Sequence, residues 1–215
     1  MRKASQKKKL YSIYLKLFAS FGPQHWWPAK TPFEVMVGAI LTQNTNWANV
    51  EKAIAQLKQH KALAPKRIYH LSTSKLARLI KSAGYYNIKT KRLKAFLKFL
   101  FDHYRGEPNR MSRVPGQKLR SQFLSINGIG PETADSILLY ALQKPLFVID
   151  AYTKRIMARH GFIAEDCSYK DVQNLFMQNL KKEVKLFNEY HALLVRLGKE
   201  FCLKKNPKCR ICPLK

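Results

Sequence analysis

Apolar residues recur along the chain at intervals of three and four: Val50, Ile54 and Leu57; Leu76, Leu79 and Ile80; Leu93, Phe96, Leu97 and Leu100; Leu175, Phe176 and Leu180. This period marks helices with one buried face, and strand-like alternation is missing. Glycine and proline punctuate the pattern at Gly22-Pro23, Thr31-Pro32, Ala64-Pro65, Gly84, Gly106 to Gly116, Gly128 to Pro131, Lys144-Pro145, Gly161 and Asn206-Pro207. The breaks leave roughly ten short helices, and the predicted fold class is all-α. The longest apolar run, Phe33 to Leu41, is interrupted by Glu34 and falls well short of the roughly 20 residues of a membrane helix. The basic start, Met1 to Lys9, runs straight into the amphipathic stretch Leu10 to Phe18 with no small-residue cleavage site. No membrane partner and no secretory leader are expected, so the predicted location is cytoplasmic.

Charge changes the picture. Of 215 residues 46% are hydrophobic, enough for a sizeable core, but 40 are Lys or Arg and only 13 Asp or Glu, a formal net charge of +27. Such an excess repels itself unless a polyanion is the working partner, which points to nucleic acid. Of the four cysteines, Cys202, Cys209 and Cys212 fall within eleven residues. In a reducing compartment that clustering favours a metal over disulfides, while Cys167 reads as an ordinary thiol.

The segment with most chemical content is Leu124 to Leu138, which holds Gly128-Ile129-Gly130-Pro131 between two helical stretches. Two glycines around an apolar residue let backbone approach a ligand and take positive φ, and a proline is well placed in the first turn of the helix that follows. N–H groups there can receive a phosphate, although a plain helix–turn–helix connection has the same pattern. About twenty residues on, the apolar run Pro145 to Ile149 ends in Asp150, a carboxylate that can also cap the next helix.

With Ile126-Asn127-Gly128-Ile129-Gly130, Thr133-Ala134-Asp135, Val148-Ile149-Asp150, the upstream Ile40-Leu41-Thr42-Gln43-Asn44-Thr45-Asn46 and the cysteine tail in this order, the sequence resembles the helix-hairpin-helix DNA glycosylases related to endonuclease III. It is most similar to the endonuclease III-like 3-methyladenine DNA glycosylases. The resemblance implies two helical lobes, residues 33–142 with the helix-hairpin-helix motif and residues 1–32 plus 143–215 with the cysteine loop, and an active-site cleft between them. It implies a monomer acting on double-stranded DNA with a damaged base, in a bacterium associated with the nucleoid.

The resemblance makes Asp150 the catalytic carboxylate, whose charge suits the oxocarbenium character that develops when an N-glycosidic bond breaks. Strand-cutting relatives carry a lysine nucleophile two residues past the last hairpin glycine. Glu132 stands there and cannot form a Schiff base, though it also suits the first turn of a helix. The implied function is base excision by a monofunctional N-glycosylase, with 3-methyladenine as leading substrate. The alternatives are an endonuclease III-like pyrimidine glycosylase with AP lyase activity, or an inert DNA-binding relative. Trp26, Trp27 and Trp47 become walls of a base pocket in which Trp47 stacks on the extruded base, or else they fill the seam between lobes. Asn44 becomes the plug of the vacated gap and Tyr85 the wedge, unless Tyr85 is simply an exposed loop aromatic. Lys89, with Lys91 and Arg92, is expected on phosphates, as are Gly128, Ile129 and Gly130. Cys202, Cys209 and Cys212 match three ligands of the family's [4Fe–4S] loop, the fourth falling beyond Lys215; zinc is the other reading.

Overall fold

In the computed structural model, which describes residues 2–215 with side chains from Ser5, helix follows helix and no strand occurs among the described residues. They are α1 (Arg2–Phe21), α2 (Pro32–Leu41), α3 (Trp47–Gln59), α4 (Pro65–His70), α5 (Thr73–Leu79), α6 (Tyr86–Tyr104), α7 (Gly116–Leu124), α8 (Pro131–Ser136), α9 (Ala151–Arg159), α10 (Tyr169–Asn179) and α11 (Val184–Glu200). α8 runs directly into a π-helical turn, Ile137–Ala141. The chain forms two compact units, one from residues up to Pro28 together with Pro145–Lys215, the other from Ala29–Lys144.

Local signals explain the helix ends. Thr31 accepts from the Glu34 amide ahead of Pro32, and Asn46 does the same for Asn49 at the head of α3, so each hydroxyl or amide oxygen satisfies an orphan donor. The apolar run read from the sequence is α2, buried at every position from Phe33 to Leu41; a helix apolar all round belongs at the centre of its unit. Its one carboxylate, Glu34, pairs with Lys58 of α3. The expected faces of α3, α5 and α6 are buried as well, but on α10 the core side is Val172, Phe176 and Leu180, with Leu175 only half-buried.

In the other unit the core is aromatic. Phe147, in the extended run before α9, stacks on Phe176 with centroids 3.9 Å apart, and Tyr190 meets both edge-on. The Tyr190 hydroxyl donates to the Leu10 carbonyl at 2.8 Å, tying α11 to α1.

The two helices of the hairpin, α7 and α8, are joined by an ion pair. Arg120 gives two N–H bonds to Asp135, at 2.7 and 3.1 Å, and Asp135 is 0% exposed. Removing one partner of a buried pair strands the other charge, at a cost of about 3–5 kcal/mol. Arg120→Met should therefore lose stability on that scale in chemical denaturation, and adding Asp135→Asn should restore part of it. A single-variant loss under about 0.5 kcal/mol would show that the pair does not hold the hairpin.

Candidate active site

Asp150 is the N-cap of α9. Its Oδ1 accepts from the Thr153 amide at 2.7 Å, the Ile149 N–H before it donates to the Tyr169 hydroxyl at 3.3 Å, and the side chain is 12% exposed. A carboxylate at a helix start is favoured by the exposed N–H groups there. Capping uses one oxygen. The other, Oδ2, lies 3.6 Å from Nε2 of His191 on α11. α9 and α11 can approach so closely because a Cβ on Gly198 would meet the Tyr152 ring at 2.4 Å. Arg155 closes the same seam, donating to the Gly198 and Cys202 carbonyls.

His191 was not among the residues singled out from the sequence. The available signal was its place on the buried face of α11 with Phe187, Tyr190, Leu194 and Leu197. Burial pushes its pKa below the usual histidine value, and the Asp150 charge opposes that only in part.

Below about pH 6.5 the unfolded chain takes up a proton on His191 that the folded chain refuses, so this group lowers stability as pH falls and contributes no slope above that value. His191→Gln should flatten the loss of denaturation midpoint between about pH 7 and pH 5. An identical slope in variant and wild type would contradict the buried neutral imidazole.

In the other unit, Asn44 is exposed and left-handed, at φ 52°. Tyr85 is 67% exposed at φ 45°, directly before α6, with Ile88 half-exposed one turn on. Glu132 is exposed in the first turn of α8. Trp47 is half-buried at the head of α3, its indole N–H held by Glu51 at 2.7 Å. Trp26 and Trp27, which belong to the unit of Asp150, are half-buried and lie 5.1 Å apart, centroid to centroid.

Two expectations need correction. Lys89 does not reach phosphates: it is 1% exposed, and its ammonium donates to the carbonyls of Leu41 and Ala83, both at 2.7 Å. Burial, aided by the charge of Arg92, lowers its pKa to about 8. Arg92 likewise turns inward onto Gln43, while Lys91 stays exposed. Ile129 is buried at 4%, and its N–H is taken by the Ile126 carbonyl, so within the turn it is an anchor. Gly128, at φ 85°, and the exposed Gly130 flank it.

Cys202, Cys209 and Cys212 have three different settings. Cys202 is buried and its sulfur accepts from Arg159 at 3.3 Å, whereas Cys209 is exposed and Cys212 half-buried. Among the described residues no three His, Cys, Asp or Glu side chains are grouped so as to hold a metal ion. A cubane needs converging thiolates, and these cysteines show no such grouping. Arg159, which also donates to the Leu203 and Lys204 carbonyls, orders this tail instead.

Residues 37–182 match the pattern of the HhH-GPD superfamily of base excision DNA repair proteins. The chain belongs to that superfamily. MJ1434, a candidate DNA repair glycosylase of Methanocaldococcus jannaschii, is 47% identical over 99% of this chain and 97% of its own length. Endonuclease III of Sulfolobus acidocaldarius is 29% identical over 85% of this chain and 79% of its own. The structure of H. pylori 3-methyladenine DNA glycosylase bound to 1,N6-ethenoadenine superposes with a TM-score of 0.77 at 29% identity, covering 92% of this chain and 97% of that one. An endonuclease III–DNA complex shares the fold, with a TM-score of 0.83 at 24% identity over 97% and 92% of the two chains. This HhH-GPD protein is a DNA glycosylase of base excision repair, all-α and endonuclease III-like. No described helix is long and apolar enough to cross a membrane.

Proposed function

We propose that the protein is a monofunctional glycosylase that hydrolyses the N-glycosidic bond of an alkylated purine, 3-methyladenine first, in double-stranded DNA. The observation that carries this reading is Glu132, exposed in the first turn of α8 at the position where strand-cutting relatives have their lysine. A carboxylate there cannot attack the sugar as an amine does, which leaves water as the nucleophile. The 29% identical H. pylori enzyme, named for 3-methyladenine and holding an ethenoadenine, supports a purine substrate.

Asp150 is the catalytic carboxylate. One oxygen is fixed by the Thr153 amide, so the group is held in place before the substrate arrives, and its charge stabilises the oxocarbenium ion as the base departs. The same carboxylate orients the water that adds to the sugar. Trp47, with its ring held by Glu51, stacks on the extruded base, and Trp26 and Trp27 supply further aromatic surface. A cationic methylated purine gains from such faces by roughly 0.5–2 kcal/mol relative to a neutral base. Asn44 and Tyr85 enter the duplex, Lys91 contacts phosphate, and the protein acts as a monomer on chromosomal DNA in the cytoplasm.

Base release from duplexes bearing single lesions tests the substrate. 3-Methyladenine should leave faster than thymine glycol, the product strand should remain intact, and borohydride should trap no protein–DNA adduct. Faster release of thymine glycol, or a trapped adduct, would replace this reading with the pyrimidine glycosylase and lyase.

Asp150→Asn tests the mechanism separately. It should keep duplex affinity and lose about 10²-fold or more in the rate of base release, the usual size of a lost charge-stabilising group. A variant retaining more than about a tenth of wild-type turnover would remove Asp150 from the role.

A further inference from the structure

The two oxygens of Asp150 are held differently. Oδ1 is fixed by the Thr153 amide at 2.7 Å, whereas Oδ2 faces Nε2 of His191 at 3.6 Å. A carboxylate turns broadly about its Cβ–Cγ bond, so one fixed oxygen leaves the direction of the other to its surroundings. The imidazole that borders it is itself well fixed. It is 6% exposed and lies one turn from Phe187 and from Leu194 on the buried face of α11. The Phe147 ring stands at 85° to it with centroids 6.5 Å apart. Phe147 belongs to the extended run that ends in Asp150 and is stacked on Phe176 of α10, so the segment that delivers the carboxylate packs on the same imidazole.

A neutral imidazole carries its proton on one nitrogen. With an anionic oxygen at 3.6 Å, the tautomer protonated on Nε2 turns an N–H dipole toward the charge, while the other tautomer would set a lone pair against it. The titratable groups of the elements packed around His191 are engaged elsewhere. On α9, Arg155 donates to the Gly198 and Cys202 carbonyls and Lys154 to that of Cys167. On α10 the Tyr169 hydroxyl receives the Ile149 N–H, and on α1 Tyr14 lies against the ring of Tyr190, whose hydroxyl donates to Leu10. Asp150 is the charge that acts on His191.

We propose that His191 is a positioning residue for base release: its neutral Nε2–H faces Oδ2 of Asp150, sets the orientation of the carboxylate and stabilises it as the anion. The inference rests on the reading of Asp150 as the catalytic carboxylate. A neutral donor suits this task, because it steadies the negative charge without adding a cation that would offset the attraction for an oxocarbenium ion. The separation of 3.6 Å exceeds a hydrogen bond, and contacts of this kind commonly tighten in the substrate complex.

The test is single-turnover release of 3-methyladenine by the full chain across about pH 5 to pH 8, where loss of an ionised catalytic group shows as an acidic limb. His191→Leu fills a similar volume without a donor. It should slow release about tenfold or more at the plateau and move the acidic limb up by roughly half a pH unit or more, since a carboxylate without its donor takes up a proton more readily. His191→Gln, whose amide N–H can stand where Nε2–H stood, should restore the limb and come within about threefold of the wild-type rate. If His191→Leu does not fold, His191→Met, also without a donor, takes its place. A merely structural histidine would lower the rate by one factor at every pH, so an unmoved limb in the donorless variant would overturn the proposal. A limb moved to lower pH would overturn it too, because protonation of His191 itself would then limit the wild type. If Asp150→Asn releases base like wild type, the reading of Asp150 falls and this role with it; if Asp150→Asn is inactive while the donorless variant keeps both rate and limb, the role of His191 falls alone.

Discussion

The ammonium of Lys89, shared by the carbonyls of Leu41 and Ala83, is the sharpest instance of the constraint under which this fold is built. With 40 basic and 13 acidic side chains, most cations cannot be satisfied by ion pairs. Those that turn inward must find other acceptors, and a helix-rich chain with short connections offers many carbonyls at its helix ends. Lys94 takes three of them at the end of α4, from Ile68, Tyr69 and Leu71. Arg155 and Arg159 take four around the end of α11 and the tail. Each such bond satisfies a terminal carbonyl and places one element against another. A buried cation still costs desolvation, visible in the lowered pKa of Lys89 and Lys94.

The same economy shapes the unit that carries Asp150. Its carboxylate is at once a helix cap and the group proposed for chemistry, one oxygen bound to the Thr153 amide and the other beside His191. A neutral histidine is the right neighbour for a carboxylate that must stay available. A permanent cation at that distance would hold the anion in an ion pair and oppose its use on a developing oxocarbenium ion. His191 stays neutral through burial, on a helix that packs closely against α9 where Gly198 makes room for Tyr152.

How much of this could be read from the sequence depends on what each residue answers to. The helices were legible because apolar periodicity is set locally, as in α6, where Leu93, Phe96, Leu97 and Leu100 are all buried. Asp150 as a helix cap was legible for the same reason. The two departures on α6 were not, because a lysine's fate depends on which carbonyls the tertiary fold brings to it. Lys89 and Lys91 are two residues apart on one helix, with the same chemistry, yet one is buried and the other exposed. The arrangement of the cysteine tail was not legible for a related reason. Spacing can suggest a ligand set, but convergence of three thiols is a property of the folded loop, and here Arg159 engages Cys202.

Gly128 shows how an internal contact and an external one can ask for the same residue. From the sequence, the glycine serves close approach of backbone to a phosphate. In the structure its left-handed φ of 85° and the Arg92 side chain under it already exclude a Cβ. The carbonyl of that glycine accepts from Gln43, so the turn is tied down from inside. The positive φ, the Arg92 side chain and the Gln43 bond together explain why this position of the turn takes glycine from the inside alone.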